Sequence, residues 1–309
     1  MGGTRMKQSS LALVAVAFIC LAAGFAQFRS DVRLVVVHAT VTDKRGNVVS
    51  GLLPDAFHVF ENGRPQTLKK FVQEDIPVTL GLLIDDSGSM RRLRPLVTET
   101  VRKMVDRLNP DDEVFMARFS MYLNIDVPPT TGPADLQRAV AGLARRNGSA
   151  QGQPGTDFYD CLQKALGYIE KTAQRDKTAL LVITDGSDTA SLLSLKQLIA
   201  DIGHRESLIY AVGLPSRNNK RGRVALQQIT ETSGGRAFFP SDASELPGIA
   251  VQIAEEMRIQ YTLTYRPDIQ DLDGAYRAIN VRVDKPPNSG GFVVRARKGY
   301  YAGAGKNRR

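Results

Sequence analysis

Residues 78–89 read Val-Thr-Leu-Gly-Leu-Leu-Ile-Asp-Asp-Ser-Gly-Ser, a nearly unbroken apolar run from Val78 to Ile84 that stops at two carboxylates and two hydroxyls. A strand with one wet face alternates apolar and polar residues, so a run without alternation belongs to a strand covered on both faces, as in a parallel sheet. In open α/β sheets ligands bind at the loops that follow such strands. Asp85, Asp86, Ser87 and Ser89 therefore stand where function is expected.

Outward from this strand the pattern repeats. Leu93, Leu96, Val97, Val101, Met104, Val105 and Leu108 recur at helical spacing, with Pro95 tolerated in a first turn and Asn109-Pro110 as a stop. Val114 to Phe119 and Leu123 to Val127 read as strands joined by little more than a turn, hence an antiparallel pair at a sheet edge. Phe158, Cys161, Leu162, Ala165, Leu166 and Ile169 form a helical stripe, Ala179 to Thr184 a buried strand and Leu192 to Ile202 a helix. Leu208 to Val212 is a strand, Val224 to Thr232 a helix, Arg236 to Phe239 a short strand and Leu246 to Met257 a closing helix. Residues 77–258 are thus expected to form a doubly wound, Rossmann-like α/β domain, its mainly parallel sheet flanked by helices.

The flanks differ. Residues 27–76 contain strand-like segments at Leu34 to Val41, Phe57 to Glu61 and Leu68 to Val72, with turns at Lys44-Arg45-Gly46-Asn47 and Asn62-Gly63. Residues 259–301 contain Gln260 to Tyr265, Tyr276 to Val283 and Phe292 to Tyr301. Each flank alone is a poor core, so the simplest assembly is a smaller all-β, Ig-like sandwich built from both flanks with the α/β domain inserted. Two separate β domains are the alternative.

Further hydroxyls and carboxylates lie at matching boundaries: Gly155-Thr156-Asp157 opens a helix, and Asp185-Gly186 ends the strand Ala179 to Thr184. If the two apolar strands are neighbours, these oxygens converge. With Asp85, Ser87 and Ser89, then Thr156, then Asp185, the sequence resembles the von Willebrand factor type A (vWA) domain and its metal-ion-dependent adhesion site, Asp-x-Ser-x-Ser, Thr, Asp. The stretches Val41 to Gly46, Phe57 to Gly63, Tyr265 to Pro267 and Arg297 to Tyr300 resemble those of a bacterial exported subfamily of such proteins.

The resemblance implies that Ser87, Ser89 and Thr156 bind a divalent ion directly, while Asp85 and Asp185 hold it largely through waters. Hydroxyl, carboxylate and water oxygens are hard donors suited to Mg²⁺, or Mn²⁺ or Ca²⁺. Neutral direct ligands leave the ion electrophilic, with a position open to a partner protein's Asp or Glu carboxylate. Asp86, Asp157, Asp160 and Asp188 read as helix-start or loop residues that accept backbone N–H groups. Because loops after parallel strands share one face, Arg91, Arg92 and Arg94, Arg145 and Arg146, and Arg217, Lys220, Arg221 and Arg223 are candidates for a cationic rim that selects an acidic partner.

Composition narrows the function. The chain has 309 residues, 42% hydrophobic and 24% charged, which excludes wholesale disorder and multi-span membrane classes. Arg5 and Lys7 precede an apolar run from Leu11 to Ala23 and a Gly24-Phe25-Ala26 ending, the pattern of a signal peptide over residues 1–26 rather than of a membrane span of about 20 residues. Its removal leaves 39 basic and 32 acidic residues, a charge of +7, and Cys161 as the remaining cysteine. The protein is expected to be exported, to the periplasm, the envelope or the medium, with no transmembrane span in the mature chain and 302–309 as a basic tail.

No nucleic-acid-binding pattern accompanies the basic charge. No hydrolase elbow, His-Glu-x-x-His, dinucleotide or P-loop motif is present, and His38, His58, His204 and Cys161 read as packing or surface residues. The expected function is a non-enzymatic, metal-dependent adhesion module. An envelope-assembly scaffold whose metal only stabilises loops is a second reading, and a non-catalytic subunit of an enzyme complex a third.

Overall fold

The computed structural model describes residues 34–73, 75–145, 155–215, 220–284 and 291–303, and the residues from Leu34 onward cluster as one unit. Four strands come first: β1 (Val35–Thr42), β2 (Phe57–Glu61), β3 (Arg64–Gln66) and β4 (Leu68–Val72). An alternating stretch follows with β5 (Val78–Asp85), α1 (Arg94–Val105), β6 (Glu113–Phe119), β7 (Leu123–Thr130), α2 (Pro133–Arg145), α3 (Phe158–Thr172) and β8 (Lys177–Thr184). It continues with α4 (Leu195–Gly203), β9 (Leu208–Gly213), α5 (Lys220–Ser233), β10 (Ala237–Phe238) and α6 (Leu246–Arg258). The strands β11 (Tyr261–Tyr265), β12 (Tyr276–Val283), β13 (Val293–Ala296) and β14 (Gly299–Tyr301) come last.

The α/β part is a six-stranded sheet in the order β10-β9-β8-β5-β6-β7. Every pairing is parallel except the edge pair β6–β7, which is antiparallel with register shifts. Every residue of β5 is buried, and its side chains alternate between two cores. Leu80, Leu82 and Ile84 join a cluster with Val97 and Val101 of α1, Leu136 and Val140 of α2, and Ala250 and Ile253 of α6. Leu83 joins Phe158 and Leu162 of α3, Leu198 of α4 and Leu226 and Ile229 of α5. Helices therefore cover both faces, as the apolar run of β5 requires.

Sequence periodicity missed α2. Only Leu136, Val140 and Leu143 carry its apolar stripe among alanines, polar residues and Gly142, and Gly132-Pro133 reads as a loop. Helix α5 starts at Lys220, a turn before the first apolar residue of its stripe. The segment 292–301, expected as one strand, is two: β13 pairs with β1, and β14 pairs with β12 in a different sheet. The break falls at Arg297, whose guanidinium turns to the carbonyls of Gly299 (2.9 Å) and Gly203 (3.2 Å).

Residues 35–72 and 261–301 together build two four-stranded sheets, β13-β1-β11-β4 and β14-β12-β2-β3. One apolar cluster draws on both, including Val37 and Val41 of β1, Val59 of β2, Leu263 of β11 and Ile279 of β12. The Tyr265 and Tyr300 hydroxyls both donate to the buried Glu61 carboxylate, at 2.7 and 2.9 Å. The sheets are tied to the α/β part through Glu256 of α6, which is fully buried and ion-paired to Arg236 (2.9 Å) and to Arg295 of β13 (2.7 Å). At the end of α6, the buried Lys177 ammonium donates to the Met257 carbonyl, capping the helix C-terminus.

Gly81 leaves room for side chains of the two neighbouring strands, Leu180 of β8 and Phe115 of β6. A Cβ there would lie 2.3 Å from Leu180 and 2.4 Å from the Phe115 ring. Gly81→Ala is expected to destabilise the fold by about 1–3 kcal/mol through overpacking, read as a lower urea midpoint with unchanged slope.

Candidate metal centre

The centre is assembled where β5 and β8 end side by side. Their register sets Ile84 opposite Ile183, which brings Asp85 level with Thr184. The Thr184 hydroxyl donates to Asp85 Oδ2 at 2.6 Å and accepts the Gly186 N–H at 2.9 Å. Both loops then turn the same way: Ser87 N–H donates to Asp85 Oδ1 and Ser187 N–H to Asp185 Oδ1, each at 2.9 Å. Such Asx turns hold a carboxylate against its own backbone two residues on.

Two glycine and hydroxyl details complete the loops. Gly186 has φ +75°, and a Cβ there would meet the backbone of Gly222 in α5 at 3.1 Å, so Asp185 is followed by a residue only glycine suits. The Ser87 and Ser89 hydroxyls lie 3.1 Å apart. Thr156 is fixed by the loop after β8: its N–H donates to Thr189 Oγ1 at 2.8 Å, and its carbonyl accepts from Thr189 and Ala190. The loop after β6 joins in, since Asp86 N–H donates to the Phe119 carbonyl and Asp157 N–H to that of Ser120. Asp85, Ser87 and Ser89 are thus joined to the end of β8 through Thr184, and Thr156 is joined to the loop that follows Asp185 through Thr189. Asp85, Ser87, Thr156 and Asp185 are buried, and Ser89 is exposed.

Electrostatics separate two adjacent carboxylates. Asp86 is ion-paired to Arg94 (2.6 Å) and Arg118 (2.7 Å), and Arg118 also grips Asp126 with two bonds. Asp85 is pushed up to about 6 by burial, with hydrogen bonds from Ser87 and Thr184 opposing and the charge of Asp185 adding to the rise. Its charge is solvated by hydroxyl and N–H dipoles, so a cation beside it relieves both the burial penalty and the repulsion.

The donors fit a hard divalent ion. Among the described residues no group of three or more His, Cys, Asp or Glu side chains is placed to hold a metal. The set here is instead hydroxyls backed by carboxylates. The 3.1 Å separation of Ser87 and Ser89 matches adjacent ligands of an octahedron whose metal–oxygen distance is about 2.1 Å.

Two expectations about neighbouring residues change. Arg94 does not belong to an open rim, because its guanidinium neutralises Asp86. Asp157 caps no backbone N–H; its buried Oδ1 has no hydrogen-bond partner, and burial raises its pKa, with Asp160 adding. Asp188 takes the cap instead, accepting from Phe158 and Tyr159, and Asp160 accepts from Leu192 and Leu193. Arg91, Arg92, Lys220, Arg221 and Arg223 are exposed, Arg223 with its guanidinium 4.3 Å over the Phe239 ring. Arg146 and Arg217 lie outside the described residues, as does the Arg145 side chain.

Sequence reasoning missed Thr184, Ser120, Thr189 and Arg118. For the first three no sequence signal distinguishes them from ordinary loop or strand-end hydroxyls. Arg118 does carry one: a cation inside the buried strand Val-Phe-Met-Ala-Arg-Phe must have an anion nearby.

Residues 80–264 match the family model of the von Willebrand factor type A domain. This is more than half of the chain, and the protein belongs to that family. Among solved structures it is similar to a von Willebrand factor type A protein from Catenulispora acidiphila, with TM-score 0.50 and 12% identity over 89% of this chain and 74% of that one. It is also similar to proximal thread matrix protein 1 from the mussel byssus, solved with a zinc-occupied MIDAS (metal-ion-dependent adhesion site) motif. That likeness has TM-score 0.51 and 18% identity over 64% of this chain and 49% of that one, so this chain spans about half the mussel protein's length. At these identities the likeness establishes the fold. No curated protein matches.

Because the folded state raises the pKa of Asp85, it binds that proton more tightly than the unfolded chain. The resulting stability is full below the ordinary carboxylate range and is lost as pH rises through about 6. In chelator, Asp85→Asn is expected to flatten this loss, measured by urea unfolding across pH 4–8.

Proposed function

We propose that this protein is an exported, divalent-metal-dependent protein-binding module that captures a partner's Asp or Glu carboxylate. The observation that carries it is that Asp85, Ser87, Ser89, Thr156 and Asp185 lie on hydrogen-bonded loops at the C-terminal ends of the central strands, with Ser89 open to solvent. Ser87, Ser89 and Thr156 would hold the ion directly, with Asp85 and Asp185 supporting it through water. The ion supplies an electrophilic position for an incoming carboxylate. The hard-oxygen donors favour Mg²⁺, Mn²⁺ or Ca²⁺, and the zinc-occupied motif of the mussel protein supports a divalent ion in this fold.

The protein's own residues do the rest. The Thr184 hydroxyl and the Ser87 N–H orient Asp85, and Gly186 lets α5 close against the Asp185 loop. Arg91, Arg92, Lys220, Arg221 and Arg223 attract acidic segments. The chain acts by binding and carries no catalysis of its own. Its two flanking sheets serve as an Ig-like sandwich that carries the vWA domain. Among the described residues no helix is long and apolar enough to cross a membrane, and export rests on residues 1–26.

Calorimetric titration of Mg²⁺, Mn²⁺, Ca²⁺ and Zn²⁺ into the full chain should show one site, altered by excess free glutamate. Asp185→Ala should weaken it at least about tenfold with far-UV circular dichroism unchanged. Binding that persists undiminished in the variant removes the mechanism. Changing Lys220, Arg221 and Arg223 together to Gln should leave metal affinity within about twofold while lowering the salt dependence of binding to a poly-glutamate probe.

A further inference from the structure

One group of exposed cations is separated from the turn after β6 by the sheet order. Lys220, Arg221 and Arg223 follow β9, whereas the turn carrying Met121 and Tyr122 follows β6, on the other side of the β8–β5 pair. Two large apolar side chains on the loops after β6 and β8 face solvent: Tyr122, 65% exposed, and Leu192, 95% exposed. Neither is displayed by a slack loop. The Tyr122 carbonyl accepts from Ser120 N–H at 3.3 Å, and the Leu192 and Leu193 N–H groups donate to the two oxygens of Asp160 at 3.0 and 2.9 Å. Burial stabilises a leucine side chain, and the bonded loop holds Leu192 away from that gain.

Both turns adjoin the metal centre. A Cβ on Gly155 would lie 3.0 Å from Met121 Sδ and 3.3 Å from Ala190 Cβ, so the turn bearing Tyr122 and the loop bearing Leu192 meet across the residue that precedes Thr156.

We propose that Tyr122 and Leu192 form an apolar seat beside the metal position, so that the partner segment is an acidic residue with a large aliphatic or aromatic neighbour. This rests on the carboxylate-capture reading above and names the chemistry of its partner. The exposed cations across the centre select acidic segments, and the seat adds desolvated contact area next to the charged anchor, the composition of an interface hot spot. Residues of an extended segment advance about 3.3 Å each, so an apolar neighbour within two positions of the acid lies within about 7 Å of it.

The test is selection of displayed random heptapeptides on the immobilised full chain in Mn²⁺, with release by EDTA, for the parent, Tyr122→Ser, Leu192→Ser and the double variant. EDTA-released peptides should be enriched in Asp or Glu on all four proteins. On the parent, Leu, Ile, Phe, Tyr or Trp within two positions of the acid should be enriched about fivefold over the library, and this preference should disappear on the double variant. Acid enrichment without an apolar neighbour on the parent, or a preference that survives the double substitution, overturns the seat while leaving carboxylate capture standing. No acid enrichment on any of the four overturns both.

Discussion

The hydrogen bond from the Thr184 hydroxyl to the Asp85 carboxylate joins the ends of the two central strands, and the candidate centre is organised around it. It exists because β5 and β8 are parallel neighbours in a register that sets Asp85 level with Thr184. That register is held by two cores at once, since successive side chains of β5 enter opposite helix layers. A slip of one residue would exchange the two faces and carry Asp85 away from its donor. The packing of the sheet thus fixes the position of the carboxylate.

The neighbouring carboxylates show how charge is distributed around this bond. Asp86 receives two guanidinium groups, which stitch α1 and the edge strands to the loop after β5. Asp85, one residue earlier, receives a hydroxyl and a backbone N–H and faces the like charge of Asp185. Two adjacent carboxylates thus sit in different environments, one paired with guanidinium cations and the other held by neutral donors. A second buried charge group works at a distance from the centre: Glu256, with Arg236 and Arg295, connects the last helix of the α/β part to the flanking sheets. Buried pairs of this kind contribute geometry more dependably than stability.

The central architecture was legible because burial on both faces leaves a strong pattern. The unbroken run at Val78 to Ile84, the helical stripes after it and the edge pair read at Val114 to Phe119 and Leu123 to Val127 all correspond to observed elements. Helix α2 was hidden by its small apolar stripe, and the division of 292–301 by the fact that one extended segment changes sheets at Arg297. The motif residues were visible through their order and spacing. Their partners were not, because Thr184, Thr189 and Ser120 act through contacts that have no sequence period.

By itself the sequence determined the alternation of strands and helices, and it placed hard oxygen donors at strand ends, because hydrophobic periodicity and loop position are local properties. The tertiary structure alone decided which of the charged residues near those donors are spent. Arg94 turned from the rim to Asp86, Asp188 rather than Asp157 caps α3, and the turn after β6 met the loop after β8 across Gly155. These outcomes depend on which loops the sheet order brings together, a long-range consequence of packing that no local stretch of the chain encodes.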